Sequence, residues 1–194
     1  MRKSTDELDI VEAADRTEWR RWLKKNYKTA KDVWLVFYKK GSGKSRIPYN
    51  DAVEEALCFG WIDSNVRSLD EARYAQRFSP RRPNSSYSVA NIERLRRLVA
   101  EGRVQEDVLA SLPALSEQKE PRLVVAKDIL AAIKANKEAW TNYRKLSPAY
   151  KRIRIGFIEG ARNRPAEFKK RLDYFIKMTA KNKLFGYGGI EKYY

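Results

Sequence analysis

The part of the sequence best suited to chemistry is an arginine-rich loop at residues 77–88, RFSPRRPNSSYS. Its arginines, Arg77, Arg81 and Arg82, can each bind a phosphate or a carboxylate through paired N–H donors. Two prolines restrict the loop, which lowers the entropy lost when the arginines are held in place. Ser88 is a good N-cap for a following helix, and the free N–H groups at a helix start favour an anion. We therefore predict an anion-binding loop.

The same arginines could instead be used inside the protein. Asp63 lies on a predicted strand before the loop, where its carboxylate could pair with Arg77 or Arg81 and lock a hairpin to the next helix. Asp63 could also act as a general base in an enzyme whose arginines hold an anionic substrate, which would require a concave pocket around it. The sequence leaves these alternatives open.

The composition removes most catalytic classes. The chain has 194 residues with no histidine and one cysteine, so Ser-His-Asp and Cys-His catalysis, HExxH metal sites and CxxC zinc sites are excluded. No carboxylate cluster such as DxDxD suggests a magnesium site. We predict no catalytic residues, no metal site and no cofactor, and we favour a non-enzymatic role while leaving an enzyme open.

The single cysteine, Cys58, is predicted to be structural. It falls in the last turn of a predicted helix between Leu57 and Phe59, and free cysteine is among the most buried residue types. A reactive thiolate is favoured by a helix N-terminus or a neighbouring cation, and the C-terminal end of a helix works the other way. Gly60 then follows as the left-handed residue that ends the helix.

The formal charge of +16 is concentrated at the C-terminal end of the chain. Residues 134–194 contain 16 basic and 5 acidic groups, a net charge of +11. Such a surface attracts acidic proteins, small anions, anionic lipid headgroups or nucleic acid, or it serves only solubility. Nucleic-acid binding through the basic C-terminal helices is an alternative function, although no RNP1 pattern is present.

Hydrophobic periodicity and capping signals predict an α+β fold. We expect a small antiparallel sheet of three or so strands, packed by helices, in an N-terminal region at 1–112, and an all-helical region at 122–194. A polar connection at 113–121 separates the two. The predicted strands are 33–38, 61–69 and 73–79, and the predicted helices are 16–26, 50–60, 88–102, 104–112, 123–135, 137–146, 148–161 and 165–179.

Nothing in the sequence indicates a membrane segment. No run approaches the roughly 18–20 apolar residues of a membrane helix, and the start, MRKSTDELDI, has no apolar stretch like that of a signal peptide. We therefore expect a cytoplasmic protein without an integral membrane segment. The sequence gives no indication of its oligomeric state.

Residues 57–103, LCFGWIDSNVRSLDEARYAQRFSPRRPNSSYSVANIERLRRLVAEGR, resemble the signature block of the bacteriocin-protection, YdeI/OmpD-associated family. The second half of the chain resembles that family's C-terminal helical domain, through residues 129–136, the helix start Leu146-Ser147-Pro148 and residues 158–162. Departures from the family pattern include Tyr87, where members often have Trp, and residues 162–165, whose role in relatives does not transfer.

The resemblance implies a small cytosolic α+β stress-protection protein linked to tolerance of bacteriocins and cationic antimicrobial peptides. It implies no accepted enzymatic activity and no cofactor. The positions of the signature implied as functional, which would face one another if the hairpin packs on the following helix, are Trp61, Asp63, Arg77, Arg81, Ser88 and Asn91.

Overall fold

The computed structural model describes residues 8–39, 41–43, 47–82, 85–112, 122–186, 190–191 and 194. The chain divides into two compact units. The first comprises residues 1–86 and 95–117, and the second comprises residues 87–94 and 118–194. The helix at Val89–Ala100 therefore begins in the second unit and ends in the first. The predicted connection at 113–121 lies outside the described residues, and the proposed regions 1–112 and 122–194 stay a prediction.

The first unit contains a four-stranded sheet in the order β1-β2-β4-β3. The strands are β1 (Ile10–Val11), β2 (Val33–Tyr38), β3 (Trp61–Ser68) and β4 (Arg73–Pro80). As predicted, β3 and β4 form an antiparallel hairpin, and β4 also pairs antiparallel with β2. An irregularity between Asp63 and Val66 shifts the register of the hairpin.

The prediction of a purely antiparallel sheet was wrong, because β1 pairs parallel with β2. β1 has two residues, too few for the alternation of polar and apolar side chains that marks a strand. The chain between β1 and β2 includes a helix, which is the kind of long crossover that parallel neighbours need. The α+β class is confirmed, and the sheet is mixed.

The helices α1 (Arg16–Asn26) and α2 (Tyr49–Cys58) supply much of the first unit's core. The predicted cap of α1 is confirmed, since the Asp15 carboxylate accepts hydrogen bonds from two N–H groups of the first turn. Trp19 is fully buried, and its Nε1 donates to the carbonyl of Ala52 at 3.0 Å. This bond ties α1 to α2.

The end of α2 shapes the entry to β3. Gly60 has φ of +71°, a conformation that side chains with a Cβ rarely adopt. The predicted role of Gly60 as the left-handed residue is therefore confirmed. The helices α3 (Val89–Ala100) and α4 (Glu106–Ala110) follow the sheet.

The second unit is helical in its described residues after 122, as predicted. Its helices are α5 (Lys127–Ala135), α6 (Lys137–Lys145), α7 (Pro148–Glu159) and α8 (Pro165–Ala180). The Ser147 hydroxyl accepts from the N–H of Tyr150 at 3.1 Å, which caps α7. The buried core consists of Ile129, Ile133, Tyr143, Tyr150, Ile155, Ile158, Leu172 and Phe175. Within the described part of the chain, no helix has the length and apolar character needed to span a membrane.

Candidate functional site

The arginine-rich loop begins where β4 ends, and Arg81 organises it. Nη2 of Arg81 donates to the carbonyl of Ser85 at 2.8 Å, to the Ser85 hydroxyl at 2.9 Å and to the carbonyl of Ser86 at 3.0 Å. The Ser85 hydroxyl in turn donates to the carbonyl of Arg82 at 2.8 Å. The Arg82 residue is exposed. Arg81 therefore holds the loop together while its neighbour faces solvent; residues 83–84 lie outside the described part.

The structure gives Asp63 and Arg77 separate partners. Arg77 Nη2 forms an ion pair with Asp32 at 2.6 Å, and both side chains are about one-third exposed. Asp63 Oδ2 accepts a hydrogen bond from the hydroxyl of Tyr49 at 2.6 Å. The internal pairing of Asp63 with Arg77, one of the alternatives left open by the sequence, is therefore replaced by these two contacts.

The remaining predicted residues have mostly structural surroundings. Trp61 is 1% exposed, and its Nε1 donates to the carbonyl of Tyr27 at 3.1 Å. Asn91 is buried, and its side-chain oxygen accepts from Arg94 Nη1 at 2.8 Å. Ser88 is exposed, and its hydroxyl accepts from the N–H of Asn91 at 3.3 Å. The predicted N-cap at the start of α3 is thus present.

The seven predicted residues divide between the two units. The first unit contains Trp61, Asp63, Arg77, Arg81 and Arg82. The second contains Ser88 and Asn91. That all seven act as one site stays a prediction.

A pair of buried carboxylates on α2 was not predicted from the sequence. Glu55 has a fully buried side chain and is surrounded by three arginines. Arg20 Nη1 lies 2.6 Å from its Oε2, and Arg16 and Arg103 both bind its Oε1. Burial alone would lower the pKa of Arg16, but the hydrogen bonds and charges of Glu55 and Glu54 raise it above its ordinary value. Glu55 is therefore held by charge-assisted hydrogen bonds on both oxygens.

Glu54, the neighbouring residue, binds two arginines in the same way. Its side chain is 1% exposed, Arg16 Nη2 lies 2.9 Å from its Oε2, and Arg97 binds its Oε1. Arg97 also pairs with Glu101 at 2.8 Å. We name the whole set the Glu54–Glu55 network; its members are Arg16, Arg20, Arg97, Arg103, Asp51, Glu54, Glu55 and Glu101.

The Glu54–Glu55 network is electrically balanced, with four arginines and four acids. Its positive charges are therefore compensated within the protein, and we assign it a structural role. The signal for it was present in the sequence AVEEALC. A helix with apolar residues on every side is a buried helix, so its two glutamates had to be buried and paired.

Cys58 lies at the end of the same helix and is fully buried. Burial and the charge of Glu55 raise the pKa of its thiol to about 11, against the opposing effect of Arg20. The thiol is therefore protonated and unreactive near neutral pH.

Two buried arginines on α7, in the second unit, have contrasting surroundings. Arg152 forms a bidentate ion pair with Glu93, in which its Nε donates to Oε1 at 2.6 Å and its Nη2 donates to Oε2 at 2.7 Å. Both side chains are buried. Arg154 is 6% exposed, and no carboxylate among the described residues forms an ion pair with it. Its guanidinium carbon instead lies 5.0 Å from the ring centre of Phe185 and 5.5 Å from that of Phe157. Burial lowers the pKa of Arg154, against the opposing effects of Tyr150 and Glu191.

These contacts and the mixed sheet define an α+β protein of two units. Among the described residues, most buried charged side chains form ion pairs within their own unit. A family model for a domain of unknown function, DUF8412, matches residues 11–111, which is 101 of the 194 residues. The chain belongs to this family.

A second family model, described as bacteriocin-protection, YdeI or OmpD-associated, matches residues 122–182. The predicted resemblance is therefore confirmed over this stretch, whereas the block at 57–103 lies within the DUF8412 match. Searches of curated proteins and of solved structures returned no significant match.

Proposed function

We propose that this protein is a non-catalytic cytoplasmic binding protein that contributes to tolerance of bacteriocins or cationic peptides. It would do so by engaging an anionic ligand or an acidic protein through the loop at 77–88. The description of the family that matches residues 122–182 supports the protective role.

The charge of the chain determines which partner is reasonable. At +16, the protein repels a cationic peptide, so direct capture of such a peptide is electrostatically unfavourable. An acidic partner is attracted by the same charge, and its association is faster and salt-sensitive. Protection would therefore act through an acidic partner.

The observation that carries the proposal is the contrast between Arg81, which is hydrogen-bonded within the loop, and Arg82, which is exposed. Arg81 is committed to oxygen atoms of Ser85 and Ser86, which fixes the loop. The exposed Arg82 is then presented from a braced backbone, so less entropy is lost when it binds an anion. The alternative with Asp63 as a general base gains no support, because that carboxylate is hydrogen-bonded to Tyr49.

The proposal is tested with a fluorescent polyglutamate peptide and with inorganic phosphate. Arg82→Ala should weaken binding of one of these probes about tenfold or more, the loss of a charge-assisted contact. Arg21, which is exposed on α1, provides a matched control that removes the same charge elsewhere in the first unit. Equal effects of Arg82→Ala and Arg21→Ala, or no binding of either probe by the wild type, would contradict the proposal.

A further inference from the structure

The second unit has an aromatic and basic face that neither the loop nor the Glu54–Glu55 network explains. Phe157 on α7 and Tyr174 on α8 are each 48% exposed, although both are large aromatic residues. Large aromatic side chains that stay half exposed often mark binding surfaces.

The two exposed rings are linked through a buried cation. Tyr174 packs edge-on against Phe185, with ring centres 4.9 Å apart. Arg154 lies over Phe185 at 5.0 Å and over Phe157 at 5.5 Å. Arg171 covers Phe157 more closely, at 3.9 Å, and donates to the Phe157 carbonyl at 2.7 Å. Both rings are therefore held by fixed neighbours, which reduces the entropy lost when a ligand stacks on them.

Lysines flank the exposed tyrosine along one face of α8. Lys170 lies four residues before Tyr174 and Lys177 three residues after it, so the three share a helical face. They line a shallow surface depression together with Lys169 and Asp173. Lys169 pairs with Asp173 at 2.6 Å. Among the described residues Lys170 and Lys177 form no ion pair, although the charge of Lys170 helps to lower the pKa of Glu167.

Arg154 is the second, independent indication of an anionic ligand. A buried cation without an ion pair costs free energy, and contacts with aromatic rings offset this cost only in part. Arg152, two residues earlier, forms a buried ion pair with Glu93. The second unit can therefore neutralise a buried arginine of α7 with a carboxylate. Arg154 forms no such ion pair among the described residues, and the charge of Glu191 opposes its positive charge only from a distance. Arg154 therefore adds positive potential beside the exposed ring of Phe157.

From these observations we propose that the second unit binds single-stranded nucleic acid, without sequence preference, on the face formed by Phe157, Tyr174, Lys170 and Lys177. Bases would stack on the two rings, and the lysines would neutralise phosphates on either side of Tyr174. This combination of stacking rings and cations is how proteins bind single strands irrespective of sequence. A duplex hides its base faces, so it could use the lysines but not the rings.

Other anionic surfaces fit this face less well. An acidic protein would satisfy the lysines without requiring two half-exposed rings. A membrane surface would need the apolar stripe of α8, but Leu172, Phe175 and Thr179 on that stripe are buried within the unit. Single-stranded nucleic acid uses both the cations and the rings.

The test is fluorescence anisotropy with labelled 15-nucleotide oligo-dT and oligo-U, titrated at several salt concentrations with the full chain. Tyr174→Leu should weaken binding roughly 5- to 150-fold, the contribution of one stacked base, while Tyr174→Phe should bind like the wild type. The double change of Lys170 and Lys177 to Ala should reduce the slope of log affinity against log salt by about 1.4. The same change at Lys137 and Lys145, exposed on α6, should leave the slope nearly unchanged.

Several outcomes would overturn the proposal. They are no anisotropy change at 50 mM salt, equal affinity for a duplex of the same length, or equal binding by the Leu and Phe variants at Tyr174. Tighter binding of a polyglutamate peptide than of the oligonucleotide, if it is lost when Lys170 and Lys177 are changed to Ala and kept in Arg82→Ala, would replace nucleic acid with an acidic protein as the partner of this face. Arg82→Ala should leave oligonucleotide binding unchanged, so this proposal and the function proposed for the loop can fail separately.

Discussion

Replacing Glu55 with Gln is the most direct test of the Glu54–Glu55 network. Gln has nearly the same shape as Glu, so the change removes the negative charge while leaving little cavity. Arg16, Arg20 and Arg103 would then surround a neutral amide whose NH₂ group cannot accept their hydrogen bonds. The variant isolates the electrostatic part of the network.

The size of the effect follows from the burial of the partners. Removing one member of a buried ion pair typically costs about 3–5 kcal/mol, because the opposite charge is left uncompensated. Here the carboxylate is fully buried but the three arginines are 26%, 33% and 28% exposed, so water compensates them in part. We therefore expect a loss near the lower end, about 3 kcal/mol. For a chain of this size the melting temperature should fall by roughly 6–12 °C.

Urea unfolding followed by tryptophan fluorescence measures this loss. Four of the five tryptophans, at 19, 22, 34 and 61, belong to the first unit, so the signal reports mainly on that unit. Glu101→Gln is the matched control, because it removes the same charge from a network member that is 37% exposed and should cost less than about 1 kcal/mol. Equal losses in the Glu55 and Glu101 variants would refute the reasoning that burial makes Glu55 essential.

Three further predictions address the thiol, a helix cap and the arginines of α7. Cys58 should react with a thiol reagent at pH 8 only after unfolding. Between pH 9 and 11 the unfolded chain loses the thiol proton and the folded chain keeps it, so the free energy of unfolding should fall by up to about 2–3 kcal/mol more than in Cys58→Ala. Asp15→Ala should cost about 1 kcal/mol in urea unfolding, the usual value of an N-cap, and an unchanged midpoint would contradict its capping role. Arg152→Met should lower the free energy of unfolding by about 3–5 kcal/mol, because Glu93 is left buried and unpaired. Arg154→Met should be neutral or stabilising. Urea unfolding followed by circular dichroism measures both, and similar losses in the two variants would contradict the contrast between these arginines.

Local signals in the sequence were sufficient for most helices and strands. The cap at Asp15, the Ser147-Pro148 helix start and the hairpin of β3 and β4 depend on residues close together in the chain, and the structure confirms all three. The parallel strand β1 was missed because its pairing with β2 is set by distant parts of the chain. A two-residue strand carries no periodicity of its own.

The candidate site was harder to predict for the same reason. The sequence identifies which residues can form ion pairs, but the partners lie far away along the chain. Arg77 binds Asp32, 45 residues earlier, and Asp63 accepts from Tyr49 on α2. The cap of α3 by Ser88 is local and was predicted. The contacts of Arg81 with Ser85 and Ser86 are local too, but the polar loop sequence has no periodicity from which to predict them.

The distribution of compensated charge indicates where each unit can act. The Glu54–Glu55 network contains four arginines and four acidic residues of the first unit. Together these eight side chains carry no net formal charge. In the second unit, Arg154, Lys170 and Lys177 have no ion pairs among the described residues, and residues 134–194 carry a net charge of +11. Because compensated charges attract few ligands and uncompensated ones attract many, salt-dependent binding should be lost mainly through changes on α7 and α8, with Arg82 as the exception in the first unit.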